Sequence, residues 1–214
     1  MPDLSSALQI YARATDYISK AGLEHEIAAQ RNANLESVSE SMLLREAAWV
    51  ILCSGFRESV VRRLFDYISL CFCDWDSAAA IVETYPACYL AAQASFRAPA
   101  KLSAIVEIAR RVNVIGFDAL KSALVADPIK ALRQFPYIGP VTVWHLAKNL
   151  GFNTVKPDRH LVRISKRLGF NGPDQFCAAV AEVSGEALKV VDLVIWRYLA
   201  DNGHPAFVEV PATR

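Results

Sequence analysis

The sequence predicts an all-α protein. Helix punctuation recurs from end to end, while strict apolar/polar alternation over a strand length is hard to find. With 53% apolar side chains among 214 residues, the chain can bury a sizeable core. Two closely packed helical lobes are expected, with no internal repeat and no low-complexity linker.

Helix starts and stops recur along the chain. Asp3 can cap a first helix that Gly22 ends. Ser37-Val38-Ser39-Glu40 reads as a capping box opening a long helix through Trp49 to Cys53, and Gly55 closes it. Ser59 to Phe72 is apolar at helical spacing, and Asp74 or Asp76 can cap a short helix after it. Pro86 and Pro99 stand where new helices would start. Asp127-Pro128 is a cap followed by a proline at the first helical position, giving a helix expected to end at Phe135. Gly139-Pro140 starts another, which Gly151 stops. Arg159 to Leu168 is a basic helix ended by Gly169, and Gly172-Pro173-Asp174 starts the next. Ser184-Gly185 leads into a last strong helix, Glu186 to Ala200.

Charge and cysteine usage bound the function. The net charge is only +1, so a nucleic-acid partner must be held by a local patch. Between Lys156 and Arg167 stand five cations (Lys156, Arg159, Arg163, Lys166, Arg167) against one anion, Asp158, and Arg57, Arg62 and Arg63 form a smaller group. Either patch alone also fits an ordinary solvated face. Five irregularly spaced cysteines do not read as a disulfide framework, and Cys71 and Cys73 have no second pair nearby to complete a zinc site. Core thiols in a reducing, intracellular, cytoplasmic setting fit better. No apolar run reaches the ~18 residues of a membrane span, and none resembles a signal peptide.

The stretch from Phe135 to Phe170 is the most informative. Pro136-Tyr137-Ile138-Gly139-Pro140 interrupts an apolar-periodic pattern for only a few residues, so two helices meet at a tight hairpin. Its backbone amides and the next helix N-terminus can face a phosphate without reading sequence. The same turn could simply join two core helices. About twenty residues later, Asp158 opens the basic helix. An aspartate there is a good N-cap, and the helix N-terminus favours its ionised form. A fixed carboxylate also suits cleavage of an N-glycosidic bond, which builds positive charge on the sugar and needs a water deprotonated.

These residues resemble the signature of the helix-hairpin-helix DNA glycosylase superfamily, which includes endonuclease III and the 8-oxoguanine glycosylases. The family hairpin has the form Leu-Pro-Gly-Ile-Gly and precedes an essential aspartate by about twenty residues. Here Pro136, Ile138 and Gly139 match the hairpin, Asp158 falls on the catalytic position, and the family's histidine and arginine just after that aspartate recur as His160 and Arg163. The likeness extends less specifically from about Ser41 to Ala200. It implies excision of a modified, damaged or mismatched base from double-stranded DNA, in base excision repair or against the modified bases of foreign DNA. Asp158 would be the catalytic group, with the strand held by Tyr137, Ile138, Gly139, Pro140 and Val141 and by Lys156, Arg159, His160 and Arg163. The family's gap-filling loop would fall at Gly55, Phe56 and Arg57, with Phe56 as a wedge and Arg57 on the orphan base or a phosphate. Trp49, Trp144 and His145 are candidates for the base pocket, although large aromatics at helical spacing also suit a core.

Three departures qualify the resemblance. The first hairpin glycine is Tyr137. The lysine that makes some members lyases is replaced by Val141, which cannot be a nucleophile, so a monofunctional enzyme leaving an abasic site is expected. Lys148 and Lys156 are the only nearby substitutes. No cysteine follows Cys177, so no iron-sulfur cluster is expected, nor any cofactor beyond a monovalent cation at the hairpin. The expected lobes are 37–152, holding the hairpin, and 1–36 plus 153–214, carrying the aspartate loop, with the active site in a cleft between them and the protein a monomer. The rival readings are a DNA-binding module that kept the hairpin but lost catalysis, a glycosylase/lyase using another lysine, and a helical protein-interaction domain.

Overall fold

The computed structural model describes residues 1–203, and every regular element within them is helical. The 204–214 part of the expected second lobe lies outside the described residues. The chain divides into two units, one of residues 1–32 together with 153 onward, the other Ala33–Phe152. The first boundary falls between residues 32 and 33 rather than 36 and 37. Residues 33–38 belong to the second unit because Lys121 donates to the Glu36 and Val38 carbonyls. The Ala33–Asn34 backbone also lies so close to Gly151 that a Cβ there would sit 2.5 Å from Asn34 Cα. Gly151 has φ +95°, so glycine is required twice over, for conformation and for space.

The unit of residues 1–32 and 153 onward contains α1 (Leu4–Lys20), α2 (Glu24–Asn32), α11 (Arg159–Arg167), α12 (Pro173–Ser184) and α13 (Leu188–Asn202). Asp3 caps α1 as expected, accepting from the Ser6 amide at 3.0 Å. The second helix was not expected, because Ile27 is the sole large apolar side chain it buries and periodicity had almost nothing to detect. Helix α1 packs on α13 through Ala7, Ile10, Ala14 and Ile18. Leu161 and Ile164 of α11 join Phe176, Val191 and Ile195 in one core cluster. Two ion pairs tie the unit together, Arg197 to Glu26 at 2.6 Å and Arg31 to Glu186 at 3.0 Å.

The Ala33–Phe152 unit contains α3 (Glu40–Cys53), α4 (Glu58–Cys71), α5 (Ala78–Thr84), α6 (Ala87–Ser95), α7 (Pro99–Ile115), α8 (Phe117–Ala126), α9 (Pro128–Leu132) and α10 (Thr142–Asn149). Helix α3 is buried on nearly every side and runs through the core, with Leu43, Leu44, Ala47, Ala48, Val50, Ile51 and Leu52 all covered. Its N-cap is Ser39, whose hydroxyl accepts from the Met42 amide at 3.1 Å, so the Ser37–Glu40 capping box does not form. Ser37 is held instead by Asn34, and Glu40 reaches across to the Ala78 amide. Neither Asp74 nor Asp76 caps α5. Ser77 does, because Cys73, Asp74 and Trp75 turn through left-handed backbone before it. Helix α9 stops at Leu132 rather than Phe135, and two tight turns carry the chain on to the hairpin.

Candidate functional site

In the Ala33–Phe152 unit the hairpin is locked from within. Ile138 is buried and its amide donates to the Phe135 carbonyl at 3.2 Å. The Gly139 amide donates to the Thr142 hydroxyl at 2.7 Å, and that hydroxyl lies 3.2 Å from the Tyr137 carbonyl, which it can donate to in turn. The Val141 and Thr142 amides, opening α10, donate to nothing among the described residues and remain able to take an anion. Gly139 does not supply the left-handed position. Tyr137 does, with φ +63°. A bulky side chain there costs roughly 1–3 kcal/mol of backbone strain. Tyr137 is 46% exposed and Val141 43%.

The Tyr137 ring has a specific neighbour. Lys101 of α7 is 7% exposed, and its ammonium lies 5.4 Å from the Tyr137 ring centroid and 5.5 Å from that of Phe56. It donates to the carbonyls of Ile51 and, at 2.6 Å, Ser54, so it satisfies the C-terminal end of α3. Burial pushes its pKa below the usual lysine range. The structure therefore brings Phe56 and Tyr137, two residues expected to face DNA, to a single cation. Phe56 is 43% exposed and leans on Phe96 at 5.0 Å, and Arg57 is exposed at the start of α4.

The three pocket candidates do not form one group. Trp49 sits edge-on to Phe65 at 5.0 Å under the Arg62 guanidinium, so its ring belongs to an aromatic stack with α4. Trp144 and His145 are half-buried on α10, and among the described residues no ring contact joins Trp144 to Trp49. Glu46, on α3 beside Trp49, accepts from Asn149 of α10 at 2.8 Å, and burial pushes its carboxyl up. A hollow lined by Leu44, Ala47, Ala48, Trp75, Ile81, Ile105 and Ile108 is wholly apolar and is a seam in the core.

In the other unit Asp158 caps α11. Its Oδ1 accepts from the His160 and Leu161 amides at 2.9 and 3.0 Å, while Oδ2 accepts from no described residue. Pro157 restricts the approach, and Val155, fully buried, pins the preceding loop to the core. His160 is half-buried, and its Nε2 accepts from Arg159 Nε at 3.3 Å, which fits a neutral ring. Burial lowers its pKa, Asp158 opposes that, and Arg159, Arg163 and Lys156 add to it. Arg159, Arg163 and Lys166 recur at helical spacing, are exposed, and have no carboxylate partner among the described residues. Lys156 instead lies 5.8 Å over the Trp196 ring.

Among the described residues no three His, Cys, Asp or Glu side chains are grouped to hold a metal ion, and no helix is long and apolar enough to cross a membrane. Cys73 and Cys88 approach to 4.0 Å as thiols.

No protein-family model matches the chain, and no curated protein matches it either. Among solved structures, the 8-oxoguanine DNA glycosylase of Thermotoga maritima is similar at 21% identity, over 94% of this chain and 99% of that one, with a TM-score of 0.65. The fold is that of a DNA glycosylase. Within it, sequence reasoning missed Lys101, Thr142 and Asp192. A hydroxyl three residues after a hairpin glycine could have been read as a turn lock. Asp192 stands alone in the apolar run Val190 to Trp196, and Lys101 gives no local signal.

Proposed function

We propose that the chain is a DNA N-glycosylase that hydrolyses the bond between deoxyribose and a modified, damaged or mismatched base. The observation that carries this reading is the geometry of Asp158 on a glycosylase fold: one carboxylate oxygen is spent on two helix amides and the other is left for chemistry. In the reaction the C1′–N bond breaks, the base leaves with the bonding electrons, and water adds to C1′. Asp158 stabilises the positive charge that develops on the sugar and takes the proton the attacking water gives up, and the departing base is protonated from solvent. The hairpin amides and the Arg159–Arg163–Lys166 edge hold backbone phosphates. The enzyme acts as a monomer on double-stranded DNA in the cytoplasm, in contact with the nucleoid and without a cofactor.

Monofunctional hydrolysis follows from Val141 standing at the start of α10, where a lyase would need an amine. Lys148 is 4% exposed inside α10, and Lys156 is drawn toward Trp196, which supports the same conclusion. The test is direct: DNAs carrying 8-oxoguanine, alkylated purines, mismatched pyrimidines or bulky modified pyrimidines are incubated with the enzyme and with Asp158→Asn, and released bases are identified by mass spectrometry. Release by the first and not the second is expected. No release from the whole panel would sink the reading, and a borohydride-trapped protein–DNA adduct would overturn its monofunctional part.

A further inference from the structure

Asp192 is fully buried in α13, in a run that is otherwise apolar. Its Oδ2 accepts from the Lys156 amide at 2.6 Å, and the Lys156 carbonyl accepts from the Asp158 amide at 2.8 Å. Two hydrogen bonds thus connect the middle of α13 to the backbone of Asp158. The neighbouring turns of α13 grip the same loop. The Lys189 amide donates to Asn153 Oδ1 at 3.2 Å, so the loop caps a helix whose own N-cap residue, Ala187, makes no side-chain cap. One turn beyond Asp192, Trp196 lies beneath the Lys156 ammonium. Positions 189, 192 and 196 are spaced by three and four and share one helix face. Burying a carboxylate is costly, and an apolar residue of similar volume often serves stability as well or better, so loop packing alone does not call for an aspartate here.

We propose that Asp192 is a positioning residue for Asp158, fixing the 153–158 loop from which the reacting carboxylate projects. The proposal rests on the reading of Asp158 given above. Asp192→Leu removes the acceptor at similar volume, and Asp192→Asn keeps one. In the full chain, exchange of the Lys156 amide followed by NMR should be at least about tenfold faster in Asp192→Leu and unchanged in Asp192→Asn, because a hydrogen-bonded amide exchanges only on opening. On whichever DNA the unaltered enzyme acts, single-turnover excision at saturating enzyme should fall about 10–100-fold in Asp192→Leu and recover in Asp192→Asn, with affinity for that DNA unchanged. In an Asp158→Asn background, Asp192→Leu should cost nothing further. A full-rate Asp192→Leu enzyme would overturn the proposal, as would an equal loss in the Asp158→Asn background. If Asp192→Leu does not fold, Asn153→Ala removes the other tether and should slow excision several-fold without weakening DNA binding, and a full-rate enzyme there would also overturn it. Absence of excision by the unaltered enzyme would instead sink the reading of Asp158, and the exchange arm would still report whether Asp192 holds the loop.

Discussion

The aspartate loop and the hairpin are each anchored by one buried charge, of opposite sign and used in opposite ways. Asp192 takes a main-chain amide from the 153–158 loop, so an anion fixes backbone on behalf of another anion, Asp158. Lys101 donates to two carbonyls and lies near two aromatic rings, with no carboxylate partner among the described residues, so a cation gathers the end of α3, Phe56 and Tyr137. The hairpin then completes itself through Thr142, whereas the aspartate loop depends on a helix that begins 30 residues further along the chain. The turn at Gly139 is thus closed by a residue three positions away, while the backbone before Asp158 is held by a distant helix.

The largest expected effect tests Asp158, the reacting group of the proposed function. Asp158→Asn should lower single-turnover excision by about 10²–10⁴-fold while DNA affinity stays within a few-fold, and an equal loss of affinity would erase the distinction between holding and reacting. Next comes the buried cation. Lys101→Met leaves the Ile51 and Ser54 carbonyls without their donor and should cost about 2 kcal/mol in urea unfolding. A neutral result would mean that Lys101 does not anchor its loops. Smaller again is the strain at Tyr137. Both Tyr137→Ala and Tyr137→Gly remove the ring, but only glycine relieves the left-handed backbone, so the glycine variant should be the more stable of the two by about 1 kcal/mol. Equal stabilities would show that the turn is not strained.

The smallest effects are in pH dependence, and they place the two regions at opposite ends of the scale. His160 has a lowered folded-state pKa, so the unfolded chain binds the proton more readily. Its contribution is complete above the ordinary histidine value of 6.5 and declines as pH falls below it. Lys101 is also lowered, so its contribution grows as pH rises from its folded-state value toward 10.5. Denaturation midpoints of His160→Gln and Lys101→Met, compared with the unaltered chain from pH 5 to 10, should converge with it and diverge from it in those separate windows.

What the sequence made legible were features written locally. Asp3, Asp127 and Asp158 cap helices, Pro99 and Pro173 start them, and Gly169 comes just after the end of α11, because capping depends only on neighbours in the chain. Tyr137 was visible as a departure, but a bulky residue was expected to deny the turn its positive-φ position, and instead it adopts it; its ring contact with Lys101, from a helix about 36 residues earlier, was not visible either. The capping box failed for a similar reason. Glu40 found a better partner in the Ala78 amide, far along the chain. Spacing places Trp49 on a helix face but does not name the neighbour opposite it, which is Phe65.

The division of the chain has one more consequence, for how the protein is made. Residues 33–152 are inserted in sequence between the two halves of the other unit, with the two ends of the insert lying side by side at Asn34 and Gly151. The inserted unit can therefore finish folding on the ribosome. Helix α1 cannot, because its partner α13 is translated more than 160 residues later, a wait of roughly ten seconds or more at about 5–20 residues per second. Until then the part of the α1 stripe that packs only on residues from Val155 onward, Ala7 and Ile10, has no partner, which makes the nascent chain, rather than the finished protein, the natural client of a chaperone.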